Sequence, residues 1–334
     1  MKPFFYLLLV LICVSSCGQR SSKPVSDDSA AIKKLAVTIP EFSGDSAYMF
    51  VAEQLAFGPR VPGSEAHTEC AVWLIETMKT FADTVIVQNF KARTYNKLVF
   101  DGQNIISSFN PLAKKRILLA SHWDSRPYAD HDPDPANRRI PIDGANDGAS
   151  GIGVLMEIAR LMHHQPLDDK LGVDLIFFDL EDYGPHQEER TYNDEEFWAL
   201  GAQYWARNPH NRSYQAHYGI LLDMVGASDA VFPRETFSQQ YAPWVLDKVW
   251  DNASRLGYGN IFVNKPGLPI SDDHIPVNRI AGIPMINIIH IDPNSSNGTF
   301  FEYWHTLEDN LKHIDPVMLA IVGRVLATTV YESQ

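Results

Sequence analysis

Acidic residues fall where apolar runs stop. ILLASHWDS (117–125), DGANDGASG (143–151), LIFFDLEDYG (175–184) and ILLDMVGA (220–227) each close or border an apolar stretch with residues able to hold a metal or move a proton. EYWHTLEDN (302–310) adds a Trp–His pair late in the chain. An open α/β sheet gathers the carboxyl ends of its strands at one edge, and that edge is where such sheets hold ligands. His122, Asp124, Asp147, Glu181, Asp182, Asp223 and His305 are therefore expected to converge. Carboxylate and imidazole donors together suit Zn2+, so the residues alone point to a zinc enzyme.

Each candidate has a plainer alternative. Asp147 sits among small residues just before a helical pattern, where a lone Asp ordinarily serves as an N-cap. Glu181 and Asp182 are neighbouring acids that repel each other, and a buried strand end holds such a pair poorly without a cation. On an extended chain they would point to opposite sides, one toward metal and the other toward substrate as a general acid/base; solvated loop acids are the alternative. Asp223 interrupts an apolar run, and a buried carboxylate needs a metal, an amine, a second carboxyl sharing its proton, or backbone amides. Asp272, in PISDDHIPV between Pro269 and Pro276, is placed to face the same site, with Asp273 or His274 holding its loop. Trp304 gives His305 an apolar wall. His163, His164, His210 and His217 lie on polar segments and receive no role.

The elements that must position these residues are legible as patterns. KRILLASH (115–122), DLIFFDL (174–180), YGILLDMVG (218–226) and GIPMINIIHI (282–291) read as strands buried on both faces. TVIVQNF (84–90) and KLVFDGQNIISSF (97–109) alternate like an antiparallel edge pair. Helical spacing marks 46–56, 64–82, 148–164, 197–208, 241–257 and 315–333, the last capped by Asp315. Strands alternating with helices imply one α/β domain, a mostly parallel mixed sheet covered on both faces. Loops 125–146 and 183–196 are long and lack a core pattern, as binding loops at a sheet edge do.

The bulk properties exclude some partners. A net charge of −13 over 334 residues leaves no basic stripe to neutralise phosphates, so nucleic acid is not expected. Lys2, the apolar run FFYLLLVLICV and then SSC read as a secretory signal too short to span a bilayer. Val14-Ser15-Ser16-Cys17 resembles a bacterial lipobox, which predicts a signal over 1–16 and a lipid on Cys17; an ordinary signal peptide is the alternative. Residues 17–35 read as a polar tether and 36–334 as the catalytic domain. Gly18 after the Cys and no acidic run directly behind it point to the periplasmic face of an outer membrane in the bacterial envelope. With Cys13 and Cys17 set aside, Cys70 has no disulfide partner and reads as a small buried hydrophobe, so the core must hold a domain expected to be monomeric.

Together HWDS, GANDGAS, FFDLED, LLDMVGA, SDDHIP and WHTLEDN resemble the animal-type zinc-dependent glutaminyl cyclases, which share a fold with zinc aminopeptidases. The resemblance runs over residues 40–334. It implies an α/β domain with a sheet of about six strands and conversion of the N-terminal glutamine of peptides and proteins to pyroglutamate with release of ammonia. It also implies one zinc per chain on Asp147, Asp182 and His305, with Glu181 as proton shuttle and Asp223 and Asp272 as an acidic network beside it. Trp304, Phe300 and Trp198, the last in place of the animal pocket Trp, are expected to line the substrate pocket. The chain departs from the animal pattern at Asp182, where those enzymes use Glu, and at Ala120, where they have a disulfide Cys. The animal pocket Trp is also out of register: Gln187 stands near its place and Trp198 follows after a longer loop. The rival within the fold is a two-zinc aminopeptidase, since His122 and Asp223 are placed to hold a second zinc bridged by Asp147. A surface-anchored binding module without activity is the alternative from another class; the presence of Glu181, Asp182 and His305 argues against it. Asp272 in SDDHIP and Trp304 directly before His305 favour the cyclase.

Overall fold

The computed structural model describes Met1, residues 37–191 and residues 194–334, so the lipobox with Cys17 lies outside the described residues. The strands are β1 (Thr84–Arg93), β2 (Val99–Phe109), β3 (Lys115–His122), β4 (Leu171–Phe178), β5 (Tyr218–Asp223), β6 (Phe232–Arg234), β7 (Phe262–Pro266) and β8 (Met285–Ile289). Six of them form one sheet in the order β1-β2-β4-β3-β5-β8, while β6 pairs with β7. β1 with β2 and β2 with β4 are antiparallel; β4, β3, β5 and β8 run parallel. The mixed sheet with an antiparallel edge pair is therefore the one the sequence predicts. β4 and β5 are buried at every position, as their continuous apolar runs require.

Alternation along the central strands builds two cores. Ile117 and Leu119 of β3, Leu175 and Phe177 of β4, and Ile220 and Leu222 of β5 join one cluster. Leu118, Ala120, Ile176, Phe178 and Leu221 join the other. Helices α1 (Gly44–Leu55), α2 (Glu65–Phe81), α3 (Ala149–His164), α6 (Pro243–Arg255) and α8 (Pro316–Tyr331) supply the first cluster, and α4 (Leu200–Arg207) the second. The remaining α-helices among the described residues are α5 (Thr236–Tyr241) and the single turn α7 (His274–Pro276). Asp315 caps α8 as expected, accepting the Val317 N–H at 2.9 Å.

Some element boundaries differ from the sequence pattern for local reasons. The helix expected over 241–257 is two helices. Ala242 leaves the helical region (φ −142°, ψ 54°) because it precedes Pro243, whose ring crowds that conformation. The strands expected to reach 180 and 226 stop at Phe178 and Asp223, where Leu180 (φ 53°) and Met224 (φ 51°) turn the chain left-handed out of the sheet. Glu181 and Asp182 therefore do not sit on extended chain. Strand pleat, which alternates successive side chains, therefore does not separate this pair.

Candidate active site

Strand ends carry the first residues of the site. His122 closes β3 and Asp223 closes β5, adjacent parallel strands. Asp147 lies in the turn before α3. Gly148 is the residue at the helix start; it has φ 93°, and a Cβ there would lie 2.8 Å from His122 Cε1. The cap position thus has no side chain to offer, and Asp147 is free of capping duty. Its Oδ1 lies 3.1 Å from His122 Nε2 and its Oδ2 3.4 Å from His305 Nε2. His122 Nε2 is also 3.4 Å from Asp223 Oδ1.

The acid pair is aimed by its backbone. The two oxygens of Asp124 accept the N–H groups of Glu181 (3.1 Å) and Asp182 (3.2 Å), so Asp124 orients the pair from behind. Asp182 Oδ1 then lies 3.4 Å from His305 Nε2, and Asp182 Oδ2 is buried with no protein partner. His305 is itself left-handed (φ 55°), with the Trp304 ring stacked on it at 3.7 Å and Phe300 4.7 Å beyond. Asp272 accepts the Asn287 side-chain N–H at 2.6 Å and the Asp273 N–H at 2.5 Å. Of the two residues expected to hold its loop, His274 lies 3.4 Å from Glu235, which accepts the Ile270 N–H, whereas the Asp273 carboxylate is buried without a partner.

Asp147, Glu181, Asp182, Asp223, Asp272 and His305 share a cavity of about 340 Å3 with Trp198, Phe300 and Trp304. Trp198 thus stands in the cavity wall despite its shifted position in sequence. Gln187 instead turns to Asp130, whose Oδ2 accepts its backbone N–H. Loss of hydration holds the Glu181 carboxyl well above the usual carboxylate range, with the charges of Asp272 and Asp182 adding to the effect. Burial, reinforced by Asp147 and Asp272, pushes Asp223 up to about 8. Burial opposes charge on Asp147, but His122 and His305 outweigh it and lower its proton affinity. His305 rises to about 10: burial disfavours its charge, and the carboxylates, Asp182 foremost, more than offset that.

A cation fits this arrangement. Ligand atoms of Asp147, Asp182 and His305 lie within 4.8 Å of one another, as do those of His122, Asp147 and Asp223. Buried like charges raise each other's proton affinity unless a positive centre compensates. The orphaned Asp182 Oδ2 points to the same need, and the donor set suits zinc. Asp124 belongs to neither group. A third set, Asp130, His131 and His305, meets the same distance test, but both Asp130 oxygens already accept from Arg126.

Supporting residues escaped the sequence reading. Asp309 accepts the N–H groups of Asn146 (2.8 Å) and Asp147 (3.1 Å), and Asp130 Oδ1 lies 3.2 Å from His305 Nδ1. Asp309 lies in the motif WHTLEDN, where no local pattern marks it as a partner of the Asp147 turn. Asp130 sits in a loop whose length was its only signal.

The chain belongs to Peptidase family M28, whose model matches residues 104–330. Its structure is similar to that of a glutaminyl cyclase from Bacteroides thetaiotaomicron, with a TM-score of 0.86 and 45% identity, covering 89% of this chain and 100% of that one. A Zn-dependent exopeptidase from Parabacteroides distasonis gives a TM-score of 0.85 and 46% identity over 88% of this chain and 99% of that one. The chain is also 30% identical over 259 residues to the glutaminyl-peptide cyclotransferase of Gloydius blomhoffii; the match covers 69% of this chain and 65% of that relative's length. The resemblance read from the motifs, and the fold it implied, are borne out.

Proposed function

We propose that this protein is a glutaminyl-peptide cyclotransferase, closing the N-terminal glutamine of peptides and proteins to pyroglutamate with release of ammonia. The observation that carries the reading is the placement of Glu181 in one cavity with Asp147, Asp182, His305 and an apolar wall of Trp198, Phe300 and Trp304. The similarity to glutaminyl cyclases over most of the chain supports it.

Asp147, Asp182 and His305 are the residues that would hold a single zinc, which when bound supplies Lewis acidity toward a carbonyl oxygen. Glu181 accepts a proton from the substrate α-amine as that nitrogen attacks the side-chain carbonyl carbon. It returns the proton to the amide nitrogen, the C–N bond breaks and ammonia leaves. Both nitrogens meet at one carbon, so one carboxyl serves both transfers. The raised proton affinity of Glu181 suits a group that must take up a proton and pass it on. Asp223 and Asp272 hold the neutral amine by hydrogen bonds. The aromatic wall excludes water, which would divert cyclisation to hydrolysis.

A second reading rests on the cluster of His122, Asp147 and Asp223, which would hold a second zinc and make the protein a two-metal aminopeptidase. Incubating the purified protein with Gln-peptides and Leu-peptides, followed by mass analysis, separates the two. Loss of ammonia from the Gln-peptide supports the cyclase, and loss of a residue from either peptide supports the aminopeptidase.

The lipobox reading extends to location: Cys17 carries a lipid and the domain from residue 36 faces the periplasm from the outer membrane. Metabolic labelling with a fatty acid, lost in Cys17→Ser, tests the anchor; membrane fractionation and protease access in intact cells test the site.

A further inference from the structure

The loop after β3 makes a set of contacts that neither the core nor the proposed reaction accounts for. Arg126 and Asp130 are both fully buried. Arg126 Nε and Nη2 donate to the two Asp130 oxygens at 2.9 and 2.6 Å. The remaining nitrogen, Nη1, donates to the backbone carbonyl of Asp182 at 3.0 Å and to Asp182 Oδ1 at 3.3 Å. Asp130 Oδ1 meanwhile lies 3.2 Å from His305 Nδ1. One ion pair therefore reaches two of the three residues assigned to the metal.

The contacts are aimed at a strained point. His305 has φ 55°, a conformation that L side chains rarely adopt and that persists only where surroundings impose it. Consecutive residues supply the grip: the His131 N–H donates to the His305 carbonyl at 3.0 Å, and Asp132 Oδ2 accepts the Leu307 N–H at 3.1 Å. A carboxylate 3.2 Å from Nδ1 favours the tautomer with its proton on that nitrogen, so that Nε2 is the nitrogen offered toward Asp147 and Asp182. Partners of this kind orient a ligating imidazole and tune its affinity for metal. On the other side, Arg126 occupies Asp182 Oδ1 and leaves Oδ2 without a protein partner.

We propose that Arg126 and Asp130 are a positioning pair that sets the His305 imidazole and the Asp182 carboxylate together for metal binding. The proposal rests on the reading of Asp147, Asp182 and His305 as the metal ligands. Arg126 also donates to the Pro185 carbonyl at 3.0 Å and lies 4.9 Å over the Trp198 ring, so the same guanidinium joins the metal residues to the cavity wall.

The test is zinc affinity by chelator competition, together with the visible absorption of the cobalt-substituted protein, on wild type, Asp130→Asn, Asp130→Ala and Arg126→Lys. Asp134→Ala, in the same loop but outside these contacts, is the control. Wild-type affinity is expected to fall roughly 10- to 100-fold in the Asp130 variants, more in Ala than in Asn, with an altered cobalt spectrum. Arg126→Lys keeps the charge but loses the fork; it is expected to weaken zinc as well, and it carries the prediction if Asp130→Asn does not fold. Variants with lower metal-free stability but wild-type zinc affinity and cobalt spectrum would show that the pair only folds the loop, and the proposal would be overturned. These readouts do not depend on which reaction the enzyme performs. A wild type that binds zinc but leaves Gln-peptides unchanged defeats the functional reading alone, and a wild type that binds no zinc defeats the ligand assignment.

Discussion

At the scale of single residues, the chemistry rests on carboxyls that differ in surroundings more than in kind. Glu181 is desolvated among like charges, which raises its proton affinity, whereas Asp147 faces two imidazoles that lower its own. Glu181→Gln is expected to keep zinc and lower kcat by about 10²–10⁴, the usual worth of a positioned proton carrier. Asp182→Ala is expected to lose zinc as well, which elemental analysis of the two variants checks. Near-normal turnover in Glu181→Gln would remove it from the shuttle role. The charge of Asp272 adds to the proton affinity of Asp223, so the two acids are expected to act as a coupled pair. A double-mutant cycle on kcat/KM with Asp223→Asn and Asp272→Asn, at equal zinc occupancy, is expected to give a double variant little worse than the worse single one. Strictly additive losses would mean that the two acids work separately.

At the scale of elements, loop anchors do the positioning. Glu235 caps α5 through the N–H groups of Phe237 and Ser238 and also accepts the Ile270 N–H, so it ties that helix to the segment leading to Asp272. Burial alone would raise its proton affinity; contact with His274 and the backbone donors outweighs it and lowers the pKa from 4.5 to about 2. A depressed carboxylate stabilises the fold above its unfolded value and loses that contribution as pH falls through its folded one. The stabilisation, on the order of 3 kcal/mol, is therefore complete above 4.5 and fades toward about 2. Urea unfolding of Glu235→Gln against wild type is expected to show a large gap at neutral pH that narrows through that window. A gap independent of pH would mean that Glu235 acts by packing alone. Gly148→Ala tests the turn before α3. A side chain at φ 93° beside His122 is expected to cost about 1–3 kcal/mol in stability and to displace His122.

At the scale of the whole molecule, residues 37–334 form a compact unit of their own. A chain starting at Val37 is expected to fold and to retain turnover, because the core cluster begins at Phe42; a folded but inactive product would place part of the site upstream. Zinc is expected to raise Tm in proportion to the logarithm of its free concentration, worth about 2.7 kcal/mol at a hundred times Kd, and chelation to reverse it. Metal analysis of the washed protein decides between one ion and the two that the His122 cluster would allow.

The sequence by itself determined the alternation of buried strands and helices, and with it the edge at which His122, Asp147, Asp223 and His305 meet. Apolar period and strand ends are local properties, readable from neighbours in the chain. The same holds for the edge hairpin and the Asp315 cap. Only the tertiary structure decided where each acid points. Leu180 and Met224 turn left-handed beyond the strand ends, and Glu181 and Asp182 take their aim from Asp124 instead of from strand pleat. The bonds from the Glu181 and Asp182 N–H groups to Asp124, the partnership of Asp309 with the Asp147 turn, the place of Trp198 in the cavity wall and the reach of Arg126 and Asp130 to His305 and Asp182 all join residues far apart in the chain. No local pattern encodes such contacts, because they are selected by the distance between loops after the sheet has formed.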